Sequence, residues 1–171
     1  MSIGFVPLAA GDLEQVHAWL RQPHVARWWH DDDDETYEKV VANYLPAIEG
    51  RDPTDNYVIV VDDRSVGMIQ TYLVVDYPEW ETILQLGPGV AGVDLFIGEE
   101  DAIGRGLGPE ILCAFASGVV FAKEGTHACV AGVESDNTRS LRAFEKAGFR
   151  FVRAYEEGGR PHQLMRLERD P

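Results

Sequence analysis

Apolar residues recur along this chain in two rhythms. Short runs in "IGFVPL", "NYVIVV", "VGMIQTYLVV", "VDLFIG", "HACVAGV", "RFVRAYE" and "HQLMRLE" predict strands, all but the last carrying β-branched or aromatic residues. The turns "DDRS" and "EGGRP" join two pairs of them into hairpins. Elsewhere the spacing is helical. Leu13, Val16, Trp19 and Leu20 mark a first helix with Asp12 placed to cap it, and Pro23 ends it ahead of a short turn carrying Trp28 and Trp29. Val40, Val41, Tyr44, Leu45 and Ile48 give a second helix one apolar face. The run Asp31 to Asp34 precedes that helix and reads as a solvated acidic start at the positive end of its dipole. "GLGPEILCAFASGVVFAKEG" predicts a third long helix ending at Gly125. "NTRSLRAFEKAGF" predicts a fourth, with Asn137 near its start and Gly148 at its end. "DYPEWETILQLGPGVAG" reads as loop-like at both ends.

The predicted order is β-α-α-β-β-β-α-β-α-β-β. It lacks the regular βαβ repeat of a doubly wound parallel sheet, so the chain is assigned to the α/β class in its α+β form, with one mixed sheet. At 171 residues it is expected to form a single domain over 1–171.

Charge changes the picture more than size does. Twenty-nine acidic against 15 basic residues leave a formal net charge of −14. Such a chain repels nucleic acid and anionic membranes and attracts cationic small molecules. No apolar run is long enough for a membrane helix, and "MSIGFVPLAAGDLEQ" has neither a basic start nor a long apolar stretch. The expectation is a cytoplasmic protein. Cys113 and Cys129 sit among apolar neighbours and are expected to be buried free thiols, and the histidines show no metal-ligand spacing, so no metal is assigned.

The strongest local motif is "DAIGRGLGPE", with Gly104, Gly106 and Gly108 at the mouth of a helix. Glycines there permit positive φ and close backbone approach, and successive N–H groups at a helix start cradle an anion such as a phosphate. The Gly-Lys-Ser/Thr of a P-loop is missing, and the glycine spacing does not match the dinucleotide fingerprint. With "GVDLFIG" before it and "NTRSLRAFEKAGF" after it, the segment resembles the GNAT superfamily of N-acetyltransferases.

That resemblance implies a central mixed, mostly antiparallel sheet flanked by about four helices. It also implies acetyl-CoA as co-substrate. Leu95, Phe96 and Ile97 would lie along its pantetheine arm, and Gly104, Arg105, Gly106, Leu107 and Gly108 at its pyrophosphate. Asn137 and Phe144 would lie nearby on the last helix. Ile103 stands where the family has Gln or Arg. Phe144 stands where the family often has a tyrosine that protonates the leaving thiolate, and phenylalanine has no proton to give.

"WLRQPHVARWW", "NYLPAIEG", "GPGVAGVDLFIG", "GRGLG" and "LRAFEKAGF", in that order, resemble the aminoglycoside 6'-N-acetyltransferases. The likeness implies a cationic acceptor met by Trp29, Tyr44, Asp52, Glu79, Trp80, Asp94 and Glu134. It also implies that Asp94 is the catalytic base. An amine arriving as an ammonium must lose a proton before it attacks a thioester, and a carboxylate beside the acetyl group can take it. Relatives carry an aspartate near the position of Gly132 and another in the final hairpin, where this chain reads "EEGGRP". Transfer to another amine, such as a hydroxylated lysine or a polyamine, and binding of cationic antibiotic without turnover are the alternatives. Monomer and homodimer both stay open.

Overall fold

The computed structural model describes residues 1–29 and 36–171. Seven strands are ordered β1-β2-β3-β4-β5-β7-β6. They are β1 (Ile3–Pro7), β2 (Asp55–Val61), β3 (Arg64–Leu73), β4 (Val90–Ile97), β5 (Ala128–Glu134), β6 (Arg150–Glu157) and β7 (Arg160–Glu168). The described helices are α1 (Leu13–Leu20), α2 (Pro23–Ala26), α3 (Tyr37–Ile48), α4 (Pro78–Leu84), α5 (Leu107–Phe115) and α6 (Thr138–Lys146). The sheet is mixed: β1/β2, β5/β7 and β6/β7 pair antiparallel, and β4/β5 pair parallel. The β4/β5 ladder covers Val90–Gly92 and Ala128–Val130, and β4 runs on to Ile97.

The chain divides into two compact units, Met1–Gln70 with Asp94–Arg105, and Thr71–Val93 with Gly106–Pro171. Two of the dividing points fall inside β3 and β4, and the third falls between Arg105 and Gly106, just ahead of α5.

The first unit is built on the apolar faces that periodicity marks out. Leu13, Val16, Trp19 and Leu20 of α1 pack with Val25 of α2, Val40 and Tyr44 of α3, and Val58, Met68 and Phe96 of the strands. Burial of each fully enclosed Leu or Val there stabilises the fold by about 1.5–3 kcal/mol. Asp12 occupies the N-terminal cap position of α1 as expected, but its side chain makes no bond to the helix. Its Oδ2 accepts from Ala9 N at 2.8 Å and closes a 3-10 turn, Ala10–Asp12, ahead of the helix. Thr36 caps α3, its Oγ1 accepting from Lys39 N at 3.2 Å. The acidic run expected to start that helix lies outside the described residues. Asp62 and Asp63, at φ 47° and 64°, form the β2–β3 turn in the left-handed region that short polar side chains tolerate.

In the second unit Val74, Leu84, Val90, Ala128, Val130, Tyr155 and Leu164 are buried together, with Tyr72, Trp80 and Leu86 packed against them. Three sequence expectations change here. The stretch expected to be loop-like at both ends holds a helix between them, α4, with Pro78 at its first turn and Leu84 buried at its end. The third long helix stops early: α5 gives way to a π turn, Ala116–Val120, well short of Gly125. Cys113 is exposed, whereas Cys129 is buried as expected. The α6 helix starts as the sequence predicts, with Asn137 Oδ1 accepting from Ser140 N at 3.2 Å. Gly158 and Gly159, at φ 57° and 74°, turn β6 into β7.

Candidate active site

Asp94 is half-buried on β4, on the same strand face as Phe96, since side chains repeat every second residue. Gln70 of β3 donates from Nε2 to Asp94 Oδ2 at 3.0 Å. Gly98 N donates to Val66 O at 2.8 Å and Thr71 Oγ1 to Gly92 O at 2.9 Å. These links run in opposite senses along β3 and β4, so the two strands are antiparallel and Gln70 stands opposite Asp94. Gly67 permits the close approach between the same strands: a Cβ there would lie 2.1 Å from Phe96 O. A carboxylate set in an otherwise apolar strand and steered by an amide donor is suited to accepting a proton.

Around Phe96 the site is aromatic. Trp29 meets the Phe96 ring edge-on at 5.0 Å between centroids, and Trp19 does so at 6.2 Å. Tyr44 is buried in the same cluster. Leu95 and Ile97 are half-buried on the other face of β4. His24 donates from Nε2 to Ile97 O at 3.0 Å, because a carbonyl can only accept. Asp52 is half-buried before β2 and accepts from Thr54 N at 2.8 Å.

Past β4 the chain makes a 3-10 turn, Glu100–Ala102, held from outside by Arg64. The guanidinium bonds Asp101 Oδ2 at 2.9 Å and Glu99 Oε2 at 2.8 Å. The hydrogen bond from Arg64 holds the Asp101 carboxyl below the ordinary carboxylate range, and its bond to Asp101 raises Arg64 in turn. Gly104 and Gly106 follow at φ 76° and 75°, and a Cβ at either would meet nothing within 4 Å. These two glycines supply left-handed backbone beside open space, the geometry in which N–H groups reach an anion. Arg105 between them is exposed.

Gly106 caps α5, whose first residues are Leu107, Gly108 and Pro109. Pro109 therefore falls in the first turn, where N–H groups have no partner inside the helix. Gly108 lets α5 approach α6: a Cβ there would lie 3.2 Å from Ala143 Cβ. Phe144 of α6 is buried, edge-on to Phe149 at 5.0 Å.

On α4, Glu79 is exposed and Trp80 half-buried against the second core. Gly132 of β5 faces Tyr155, and a Cβ at Gly132 would lie 1.9 Å from Tyr155 Oη and 3.6 Å from the Trp80 ring. Glu134, at the end of β5, lies 3.5 Å from Arg160 Nη1. The structure thus gathers Asp94, Phe96, Trp29 and Tyr44 in the first unit, and sets Trp80, Gly132 and Tyr155 together in the second.

Sequence reasoning missed Gln70 and His24. Gln70 carried a signal, an amide inside "VGMIQTYLVV", but its meaning needed the β3–β4 register. His24 carried none beyond its place after Pro23. Among the described residues no group of three or more His, Cys, Asp and Glu is arranged to hold a metal ion, and no helix is long and apolar enough to cross a membrane.

The acetyltransferase (GNAT) domain family matches residues 9–156 of the chain. Aminoglycoside N(6')-acetyltransferase type 1 of Klebsiella pneumoniae is 26% identical over 141 residues, covering 81% of this chain and 69% of that protein. The protein of the same name from Serratia marcescens matches to the same extent. The solved structure of AAC(6')-Ib in complex with paromomycin and acetyl-CoA superposes with a TM-score of 0.88 at 23% identity, over 99% of this chain and 94% of that one.

Proposed function

The chain belongs to the acetyltransferase (GNAT) family, and from that premise we propose that it transfers the acetyl group of acetyl-CoA to the 6'-amine of aminoglycosides, which confers resistance to them. The observation that carries this reading is the half-buried Asp94 on β4, held by Gln70 at 3.0 Å. The net charge of −14 supports a polycationic acceptor, and the open left-handed glycines at Gly104 and Gly106 support a pyrophosphate cradle. Likeness to the Klebsiella pneumoniae and Serratia marcescens proteins points the same way.

In this reading Gly104, Arg105, Gly106, Leu107 and Gly108 hold the pyrophosphate, with Asn137 and Phe144 close to the same donor. The backbone of Leu95, Phe96 and Ile97 receives the pantetheine arm and polarises the thioester carbonyl. Asp94 binds the acceptor ammonium and takes its proton, directly or through one water. The amine nitrogen then attacks the carbonyl carbon, a tetrahedral oxyanion forms, and it collapses with loss of the coenzyme A thiolate. Phe144 cannot protonate that thiolate, so the proton comes from water or from the amine itself. No enzyme–acyl intermediate forms, and neither cysteine takes part. Trp29, Tyr44, Asp52, Glu79, Trp80 and Glu134 face the acceptor.

Measurement of coenzyme A release with kanamycin and tobramycin tests the reading. Release that depends on both acetyl-CoA and an aminoglycoside is expected, and none with any aminoglycoside would sink it. A second reading, acetylation of a smaller amine, has one observation in its favour. Glu134 lies against Arg160 and Gly132 is filled by Tyr155, which lowers the negative charge offered to a polycation. Acceptor screening against polyamines separates the two.

A further inference from the structure

Of the segment "WLRQPHVARWW" only Trp29 has a part in the reaction just described, yet three of its side chains reach the end of β4. His24 Nε2 donates to Ile97 O at 3.0 Å. The Trp19 indole lies on Gly98, where a Cβ would come within 2.1 Å of Trp19 Cγ, and Trp19 Nε1 donates to Glu99 Oε1 at 2.8 Å. Three successive residues, Ile97, Gly98 and Glu99, are each gripped from α1 and α2. Trp29 adds a fourth contact through Phe96.

The direction of the Ile97 carbonyl gives the grip its meaning. Gly98 N and Glu99 N both donate to Val66 O, at 2.8 and 3.1 Å, so the polar groups of Gly98 turn toward β3. Main-chain groups alternate along a strand, so the Ile97 carbonyl turns the other way, toward the edge of β4 that pairs with β5 at Val90–Gly92. The polar groups of Leu95 share that edge.

We propose that His24 is a positioning residue for the acyl donor, capping the Ile97 carbonyl and so fixing where the donor-accepting edge of β4 ends. The proposal rests on the donor reading above. Trp19 supports the same corner by filling the space over Gly98. With Ile97 O held by the imidazole, a pantetheine arm meets the edge at Leu95 in one register. Without it, the end of β4 can rotate, and the carbonyl competes for the donor's amide groups.

Coenzyme A affinity by calorimetry, with thermal melts as the folding control, tests this on the whole chain. His24→Leu removes the donor, and the expected result is binding weaker by about 5–10-fold, the scale of one hydrogen bond. The KM for the acceptor should stay within about twofold. His24→Gln carries an N–H able to reach the same carbonyl, and its affinity should return to within about twofold of the unaltered chain. A purely structural histidine would lower the melting temperature in both variants and leave coenzyme A affinity unchanged in the folded protein. That result, or a Gln variant as weak as the Leu variant, overturns the proposal. Should His24→Leu not fold, His24→Asn, whose shorter amide falls short of Ile97 O, replaces it, and affinity equal to that of the Gln variant overturns the proposal. Absence of coenzyme A binding by the unaltered chain is a different failure, because it overturns the donor reading and takes this proposal with it.

Discussion

Gln70 Nε2 donates to Asp94 Oδ2 across 3.0 Å, from one antiparallel strand to the next. A neutral donor on one carboxylate oxygen fixes which oxygen faces outward. Gln70→Ala is expected to lower kcat/KM by about 10-fold, since misorientation of a base is costly. Gln70→Glu sets a second carboxylate beside the first and should move the acid limb of the pH–rate profile upward. Profiles superimposable on that of the unaltered enzyme would refute the positioning role.

Asp94→Asn keeps the shape and the Gln70 contact region but removes the base. A loss of about 100-fold or more in kcat is expected, within the range that general bases supply. Coenzyme A affinity should stay within about twofold, because the donor contacts proposed for β4 are made by backbone. Full activity in this variant would remove Asp94 from the mechanism.

Gly132 has no room for a side chain while Tyr155 Oη stands 1.9 Å from where its Cβ would be. Gly132→Ala is expected to destabilise the fold by about 1–3 kcal/mol through overpacking. Tyr155→Phe in that background deletes the nearest atom but leaves Cζ at 3.2 Å, so it should recover part of the loss. A double-mutant cycle by denaturant unfolding reads the coupling. Strict additivity would show that the two residues do not meet.

Arg64 and Asp101 give a pH-dependent contribution whose sign is fixed. The folded Asp101 carboxyl is held below its ordinary range by the Arg64 hydrogen bond, so the stabilisation is present above the unfolded carboxyl range. It is lost as pH falls through the depressed folded value. Arg64→Gln should therefore melt slightly lower than the unaltered chain at neutral pH and together with it near about pH 2. The difference should shrink in high salt, since the pair faces solvent.

Phe144→Tyr adds an acidic hydroxyl where the ring is buried against Phe149. If protonation of the leaving thiolate limits turnover, kcat should rise by up to about 10-fold at neutral pH. Steady-state rates at saturating substrates decide it: an unchanged kcat would show that departure of the thiolate does not wait for a proton.

Much of the frame was legible because burial on one face writes a period into the chain. The β2–β3 and β6–β7 hairpins, β4, β5, α1 and α6 all follow from it. The failures have tertiary causes. Helix α4 has under two turns, begins at Pro78, and is held by Trp80 and Leu84 against residues far away in sequence. The apolar pattern of α5 continues through Val119 and Val120, while the backbone loosens into a π turn. Asp12 stands at the cap position of α1, but its carboxylate accepts from Ala9 N and not from the helix. Asp94 stood out because a carboxylate in an apolar strand is costly to desolvate unless something uses it. Gln70 did not, because only the β3–β4 register sets it opposite Asp94.

The contrast between an exposed Cys113 and a buried Cys129 makes the chain its own chemical clock. A chromogenic disulfide reagent should titrate Cys113 at once and Cys129 only when β5 opens, since thiol reactivity follows access. Every coenzyme A release trace will carry the Cys113 signal as a burst ahead of turnover. Replacing Cys113 by serine clears that burst and leaves Cys129 as a reporter of how often the strand next to β4 comes apart.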